Sequence, residues 1–179
     1  RLVAAVFESV GIPAVWVDAR RVIVTDAEHT KAAPALEATS AAAQRELLPH
    51  LAAGRVPVLG GFIGATRDGE TTTLGRGGSD LSAALLGACL RSREIQIWTD
   101  VDGMLTADPR LVGDAQPIWS LSFDEAYELA YFGAKVLHPA TIAPAAAHNI
   151  PVRILNSRWP DRPGTLVAAR RAQSAPPTA

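Results

Sequence analysis

The chain has 179 residues and balances 17 Lys and Arg against 18 Asp and Glu, so charge gives no reason to expect nucleic acid or an acidic membrane as a partner. Its one cysteine, Cys89, excludes an internal disulfide and suits a reducing compartment. No apolar run is long enough to predict a membrane-spanning helix. We therefore expect one cytoplasmic domain of ordinary size, with Cys89 as a small core residue.

The first half of the chain shows alternating helix and strand signals. In order, we predict a helix over 2–10, strands over 12–17 and 21–25, a helix over 40–53 and a buried strand over 56–59. Gly11 ends the first helix as a C-terminal cap. Pro57 is expected at the beginning of its strand, where the missing N–H does least harm.

The second half continues the alternation. In order, we predict a hairpin turn at 67–70, a helix over 79–91, a strand over 94–98, helices over 123–131 and 139–148, and strands over 151–155 and 164–167. Ser122 and Glu125 form a capping-box pattern at the start of one helix. Strands that alternate with helices predict an α/β fold, a three-layer αβα sandwich around a mainly parallel sheet.

The strongest chemical signal is the segment Leu-Gly-Arg-Gly-Gly-Ser-Asp at residues 74–80. Its glycines allow close backbone approach to a ligand, and a helix begins directly after them, so its N-terminus can bind an anion. Arg76 can hold a carboxylate or phosphate through two parallel hydrogen bonds. The alternative is a tight turn capped by Ser79, and we expect Ser79 to cap the helix in either case.

A second signal follows the strand that ends near Trp98. In open α/β sheets, ligands bind beyond the carboxyl ends of strands. Asp100 and Asp102 are therefore candidate Mg²⁺ ligands, although Mg²⁺ in nucleotide enzymes is often held mainly by phosphates. Asp108-Pro109, taken alone, is typical of a plain turn.

The third signal is Phe-Gly-Ala-Lys-Val-Leu-His-Pro at residues 132–139. Lys135 lies among small and apolar neighbours, so it is either a surface lysine with a buried stem or a phosphate ligand. His138 is expected to be a hydrogen-bonded structural residue. Ser-His-Asp ordering, zinc-ligand spacing and the Walker A pattern are all missing from the sequence.

Together these segments resemble the aspartate kinases of the amino acid kinase superfamily. The resemblance runs from about residue 2 to residue 167, and it is densest over 71–80, 97–110 and 125–139. It implies the reaction of ATP with L-aspartate to give 4-phospho-L-aspartate, the entry to lysine, threonine and methionine synthesis. It also implies Mg²⁺ as cofactor and a homo-oligomeric complete enzyme.

The resemblance also implies roles for individual residues. The aspartate-binding positions of the family are matched by Arg76, Gly77, Gly78 and Ser79. Asp80 matches the carboxylate that organises the phosphate-binding lysines. The nucleotide contacts are matched by Thr99, Asp100, Arg110, Lys135 and Val136, with Lys135 on the phosphates.

These roles divide the chain into three parts. Residues 1–78 would be the remainder of the amino-acid-substrate side, residues 79–168 the nucleotide-binding part of the same kinase domain, and residues 169–179 a disordered tail.

Three departures from the family pattern matter. The family opens with a Lys-Phe-Gly-Gly strand and loop that supplies a second phosphate-binding lysine, and this segment has no match here. A threonine and a glutamate of the family's aspartate site have no match either. We therefore expect a fold that is incomplete at its N-terminal side, and a chain that is inactive alone. The third departure is Leu105, which stands where many relatives carry a tyrosine. The regulatory domains of most family members also have no counterpart. A noncatalytic nucleotide-binding subunit and a kinase of another amino acid, such as glutamate, are the alternatives.

Overall fold

The computed structural model describes residues 1–107, 111–131 and 139–170. The chain divides by packing into two compact units, Arg1–Leu90 and Arg91–Ala179. The predicted boundary between residues 78 and 79 concerns binding roles and stays a prediction. The tail over 171–179 lies outside the described residues. Among the described residues, no helix combines the length and apolar character needed to cross a bilayer.

The first unit contains three helices and four short strands. In chain order these are α1 (Leu2–Ser9), β1 (Ala14–Trp16), α2 (Leu36–Ala52), β2 (Val56–Val58), β3 (Ile63–Ala65), β4 (Thr71–Thr73) and α3 (Gly78–Cys89). β1 pairs with β2 in parallel, and β3 pairs with β4 as an antiparallel hairpin. Gly11 adopts a φ of 82° after α1, and Gly69 adopts 89° in the hairpin turn, as their sequence positions predicted.

The core of this unit lies between α2, α3 and the strand segments. One cluster joins Val17, Val22, Ala43, Leu47 and Cys89. Burial raises the pKa of the Cys89 thiol above its ordinary value, which favours the unreactive protonated form. The expectation that Cys89 is a small core residue is confirmed.

The predicted strand over 21–25 is wrong in its first part. Residues Ala19–Arg21 form a 3₁₀ turn, and the Asp18 side chain accepts the Arg20 N–H at its start. Val22 and Ile23 both donate backbone N–H groups to the Ala19 carbonyl, so the chain turns instead of extending. The apolar residues that suggested a strand are buried because they fill the core.

Pro57 occupies the middle of β2 and not its beginning. Val56 donates to the Pro13 carbonyl and Val58 accepts from Val17, so alternate residues of β2 face β1. The nitrogen of Pro57 therefore faces away from β1, and the β1–β2 ladder loses no donor.

The second unit contains a four-stranded sheet and two described helices. Its elements are β5 (Ile95–Thr99), β6 (Met104–Leu105), β7 (Pro117–Ile118), β8 (Ser120–Ser122), α4 (Phe123–Tyr131), α5 (Pro139–Ala147), β9 (Val152–Asn156) and β10 (Thr165–Ala168). The sheet order is β5-β9-β10-β8. α4 packs against α5 and against β8.

The α/β class is confirmed, and the sheet of this unit is mixed. β5 is parallel to β9 and β8 to β10, but β9 and β10 are antiparallel. Only eight residues separate Asn156 from Thr165. A parallel return needs a crossover of a dozen residues or more, so this short connection forces an antiparallel pair.

The predicted capping box at α4 is confirmed. The Ser122 hydroxyl accepts the Glu125 N–H at 3.1 Å, and a Glu125 carboxylate oxygen accepts the Ser122 N–H at 2.7 Å. The backbone N–H groups of Ser122 and Glu125 at the start of the helix thereby each have a partner.

Gly164, which precedes β10, yields a stability prediction. Its φ is +63°, and a Cβ there would lie 1.9 Å from the Ile154 carbonyl oxygen. Gly164→Ala should therefore lower the free energy of unfolding of the intact protein by more than about 2 kcal/mol, because left-handed strain and overpacking add. Denaturant unfolding measures the change.

Substitutions at two other glycines separate the contribution of backbone strain from that of overpacking. Gly69 has a φ of +89° but open space around a Cβ, whereas Gly113 has open space and no positive φ. Gly69→Ala should lose about 1–2 kcal/mol from strain alone, and Gly113→Ala should lose almost nothing. If all three variants lost the same free energy of unfolding, the argument that overpacking adds to backbone strain at Gly164 would be contradicted.

Candidate functional site

The connection from β4 to α3 is a tight glycine turn. Gly75 and Gly77 adopt φ values of 74° and 70°, which a side chain would make costly. The Gly78 N–H donates to the Gly75 carbonyl at 3.0 Å, and α3 begins at Gly78. The turn therefore delivers the chain directly into the amino end of a 12-residue helix.

Ser79 does not cap this helix, so that expectation is wrong. The capping position is Gly77, which has no side chain to accept a hydrogen bond from the amino end of α3. Ser79 lies in the first helical turn, where its exposed hydroxyl is 3.5 Å from a carboxylate oxygen of Asp80. A helix end with a glycine cap retains its attraction for an anion.

A second glycine-containing loop, which the sequence reasoning missed as part of a site, packs on the first. A Cβ on Gly61 would approach the Ser79 Cα to 3.0 Å. A Cβ on Gly78 would approach the ring of Phe62 to 2.7 Å. We call residues 60–64 and 74–79 together the double loop. The two loops can approach each other this closely only because Gly61 and Gly78 carry no side chains.

Phe62 holds an unusual backbone conformation at the centre of the double loop. Its φ is 73°, in the left-handed region that a bulky residue rarely adopts. Its N–H donates to the Ser82 hydroxyl at 3.0 Å, and its carbonyl accepts the Leu74 N–H at 3.0 Å. Strained backbone that is held by several contacts clusters at functional sites. The 42% exposed side chain of Phe62 is therefore a candidate ligand contact.

Positive charge lies beside the amino end of α3. Arg76 is exposed, and the Lys31 side chain runs past Gly75, with its Cγ 3.4 Å from the position of a Cβ there. Within residues 1–107, 111–131 and 139–170, neither cation forms an ion pair. With the helix N-terminus, they make this region attractive to a carboxylate or a phosphate. Asp80 is half-buried in the first turn of α3.

The second unit presents Thr99 and Asp100 at the carboxyl end of β5. The Thr99 carbonyl accepts both the N–H and the hydroxyl of Ser157, which fixes the end of β5 to the segment after β9. The Thr99 hydroxyl lies 3.3 Å from a carboxylate oxygen of Asp100, which is exposed. Their position agrees with the rule that ligands bind beyond the carboxyl ends of parallel strands.

Asp102 differs from Asp100 because its carboxylate is already engaged. One oxygen accepts from the Asn156 amide at 2.7 Å and the other from the Arg162 guanidinium. The Asn156 side chain in turn accepts the Arg158 N–H at 2.8 Å. These contacts favour a structural role for Asp102 over the metal-ligand alternative. Nowhere in the described part of the chain do three or more His, Cys, Asp or Glu side chains gather as a metal ion would require.

Thr165 holds the loop after Asp102. Its buried hydroxyl accepts the Met104 N–H at 2.8 Å and donates to the Ile118 carbonyl at 2.6 Å. Gly103, at a φ of 115°, lies so close that a Cβ would meet this hydroxyl oxygen at 2.4 Å. The loop that follows β5 is therefore anchored to β7 and β10.

The other predicted nucleotide residues, Arg110, Lys135 and Val136, lie outside the described residues, as do Asp108, Pro109 and His138. Arg76, Gly77, Gly78, Ser79 and Asp80 lie together in the first unit, and Thr99 and Asp100 lie together in the second. The roles of all these residues stay predictions.

Comparison with known proteins gives a family and close relatives. A family model described as "Amino acid kinase family" matches residues 1–156. The chain is 47% identical to "Aspartokinase 3, chloroplastic" of Arabidopsis thaliana over 97% of its own length and 32% of the relative's. It is 48% identical to "Lysine-sensitive aspartokinase 3" of Escherichia coli (strain K12) over 87% of its length and 34% of the relative's. The chain thus spans about a third of the length of these two relatives.

Solved structures agree with this family match, and they confirm the amino-acid-kinase-like fold. The Escherichia coli aspartokinase III structure in complex with aspartate and ADP is similar, with a TM-score of 0.91 at 44% identity, over 96% of this chain and 38% of that one. The UMP kinase of Bacillus anthracis has a TM-score of 0.65 at 16% identity, over 96% of this chain and 66% of that one. The second likeness concerns the fold alone.

The different surroundings of Asp100 and Asp102 predict different effects of the same substitution. Asp102→Asn should lower the free energy of unfolding of the intact protein by about 1 kcal/mol, because it weakens partly exposed charge-assisted bonds to Arg162 and Asn156. Asp100→Asn, at an exposed position, should change it by less than about 0.5 kcal/mol. Denaturant unfolding of both variants tests this, and an equal loss would contradict the structural role of Asp102.

Proposed function

Because the chain belongs to the amino acid kinase family, we propose that it forms part of an enzyme that transfers the γ-phosphoryl group of ATP to the side-chain carboxylate of L-aspartate. The observation that supports the proposal is the double loop, in which exposed Arg76 lies beside the glycine-capped N-terminus of α3. The likeness of the chain to an aspartokinase in complex with aspartate and ADP supports this substrate and nucleotide.

The aspartate side of the proposed site lies in the first unit. Arg76 holds a carboxylate of the amino acid through two parallel hydrogen bonds, as its planar guanidinium allows. Gly77 and Gly78 bring the backbone of the helix N-terminus close to the ligand, and the exposed Ser79 hydroxyl supplies a further hydrogen bond. The two glycines have to be glycines because a Cβ would strain the turn or collide with Phe62.

The nucleotide side is proposed for the second unit. Thr99, Asp100 and Arg110 contact the nucleotide, Val136 belongs to the loop that covers it, and Lys135 binds its phosphates. Lysine suits the task because its ammonium is a compact charge on a flexible stem.

The chemistry requires positioning and charge stabilisation rather than a general base. The attacking carboxylate of aspartate is ionised at neutral pH, so no protein group has to remove a proton. A phosphoryl transfer with such a nucleophile depends on alignment and on cations that stabilise the charge on the transferring group. Mg²⁺ bound with ATP would neutralise phosphate charge. Exposed Asp100 offers it an oxygen ligand, whereas the engaged Asp102 suits it poorly.

Trapping of the acyl phosphate with hydroxylamine tests the proposal on the intact protein. With MgATP, hydroxamate should form from L-aspartate and not from L-glutamate, because the similar relatives described above are aspartokinases. Product from glutamate alone would indicate a different amino acid kinase. Nucleotide binding without product from either acid would support the noncatalytic alternative.

The role of Arg76 gives a second expected outcome. Arg76→Lys keeps the charge but loses the paired hydrogen bonds, so the KM for aspartate should rise by on the order of tenfold or more. The KM for ATP should change little. Arg67→Lys, at an exposed position in the β3–β4 turn, is the matched control. A rise in the KM for ATP instead would assign Arg76 to the nucleotide.

A further inference from the structure

Ser82 lies one turn into α3 and is 3% exposed. Its hydroxyl donates to the Gly78 carbonyl at 2.7 Å, four residues back along the helix. The same oxygen accepts the Phe62 N–H at 3.0 Å. One buried hydroxyl therefore joins the first turn of α3 to the other half of the double loop.

The connection continues beyond Phe62. The Phe62 carbonyl accepts the Leu74 N–H at 3.0 Å, and Leu74 leads directly into Gly75 and Arg76. Hydrogen bonds thus run from α3 through residue 62 to the segment that carries Arg76. We therefore expect a change at Ser82 to affect both parts of the double loop.

The conformation of Phe62 explains why such a link is needed. A φ of 73° is unfavourable for a phenylalanine, so this backbone persists only where surrounding contacts hold it. Its N–H is bonded to a side chain and not to a strand partner. Loss of that acceptor would leave the N–H unpaired and the strained residue more able to relax.

We propose that Ser82 is a positioning residue, whose hydroxyl fixes the 60–64 loop against the amino end of α3 and so sets the geometry of the amino-acid-binding site. Ser82 acts through Phe62 and Gly78 and needs no contact with the substrate. The loop-fixing role stands on the hydrogen bonds alone, and its kinetic consequence rests on the function proposed above.

The test compares three variants of the intact protein. Ser82→Ala removes the hydroxyl, and Ser82→Thr retains one. Thr39→Val is the matched control, because the Thr39 hydroxyl is also fully buried and makes two backbone hydrogen bonds, both to Val24. Amide hydrogen exchange over residues 60–64 and 74–79 reports the loops, and steady-state kinetics reports the site.

Ser82→Ala should speed exchange of the Phe62 and Leu74 amides and raise the KM for aspartate by on the order of tenfold, because small misplacements of binding groups weaken binding strongly. The KM for ATP should stay unchanged. Ser82→Thr should restore both properties, and Thr39→Val should lower stability without moving either.

Unchanged exchange in Ser82→Ala would overturn the loop-fixing role. Faster exchange with an unchanged KM for aspartate would overturn the positioning role. If the complete wild-type enzyme of which this chain forms part makes no aspartyl phosphate, the proposed function fails, whereas the exchange result still decides whether Ser82 holds the loop.

Discussion

The close approach of two loops at the amino end of α3 is the constraint on which the first unit depends. Gly78 has to lack a side chain because the Phe62 ring occupies the place of its Cβ, and Gly61 has to lack one because Ser79 lies beside it. Interiors are packed densely enough that one extra carbon would displace one loop from the other. The glycines thus serve packing as much as backbone freedom, and the helix N-terminus stays open to an anion.

Each of the two units uses a buried hydroxyl in the same manner. Ser82 accepts from Phe62 and donates to Gly78, and Thr165 accepts from Met104 and donates to Ile118. A hydroxyl can do both at once, so one small side chain joins two backbone segments. Ser82 joins a loop to a helix, whereas Thr165 bridges the paired residues Met104 and Ile118 of β6 and β7. Buried hydrogen bonds of this kind are costly to break, because the backbone group left behind has no water to replace its partner. At Ser82 such bonds hold a loop in one shape where it has no strand partner.

Local signals in the sequence predicted the local features of the fold well. The capping box of Ser122 and Glu125, the glycine after α1 and the hairpin turn at Gly69 depend on neighbouring residues, and each is confirmed. The antiparallel return of β10 was also accessible, because no helix signal separates it from β9. The overall alternation of strands and helices instead favoured a mainly parallel sheet, so the antiparallel pairing of β9 and β10 was not predicted.

Features that depend on distant partners were not accessible in the same way. The strained Phe62 is held by residues 12 and 20 positions away, and Asp102 is bound by Asn156 and Arg162, 54 and 60 positions away. The sequence pattern shows two acidic residues, Asp100 and Asp102, but it does not show that Asp102 already has hydrogen-bond partners. The family motifs, by contrast, identified the fold because they combine several rare segments in a fixed order.

The proline at the centre of β2 has a consequence for the outer side of that strand. The nitrogen of Pro57 points away from β1 and carries no hydrogen. A further strand laid along that side would meet a carbonyl acceptor at the middle of β2 but no donor, so a continuous ladder could not form there. Because exposed strand edges invite association between copies of a chain, Pro57 makes β2 a poor template for aggregation while it leaves the β1–β2 pairing intact.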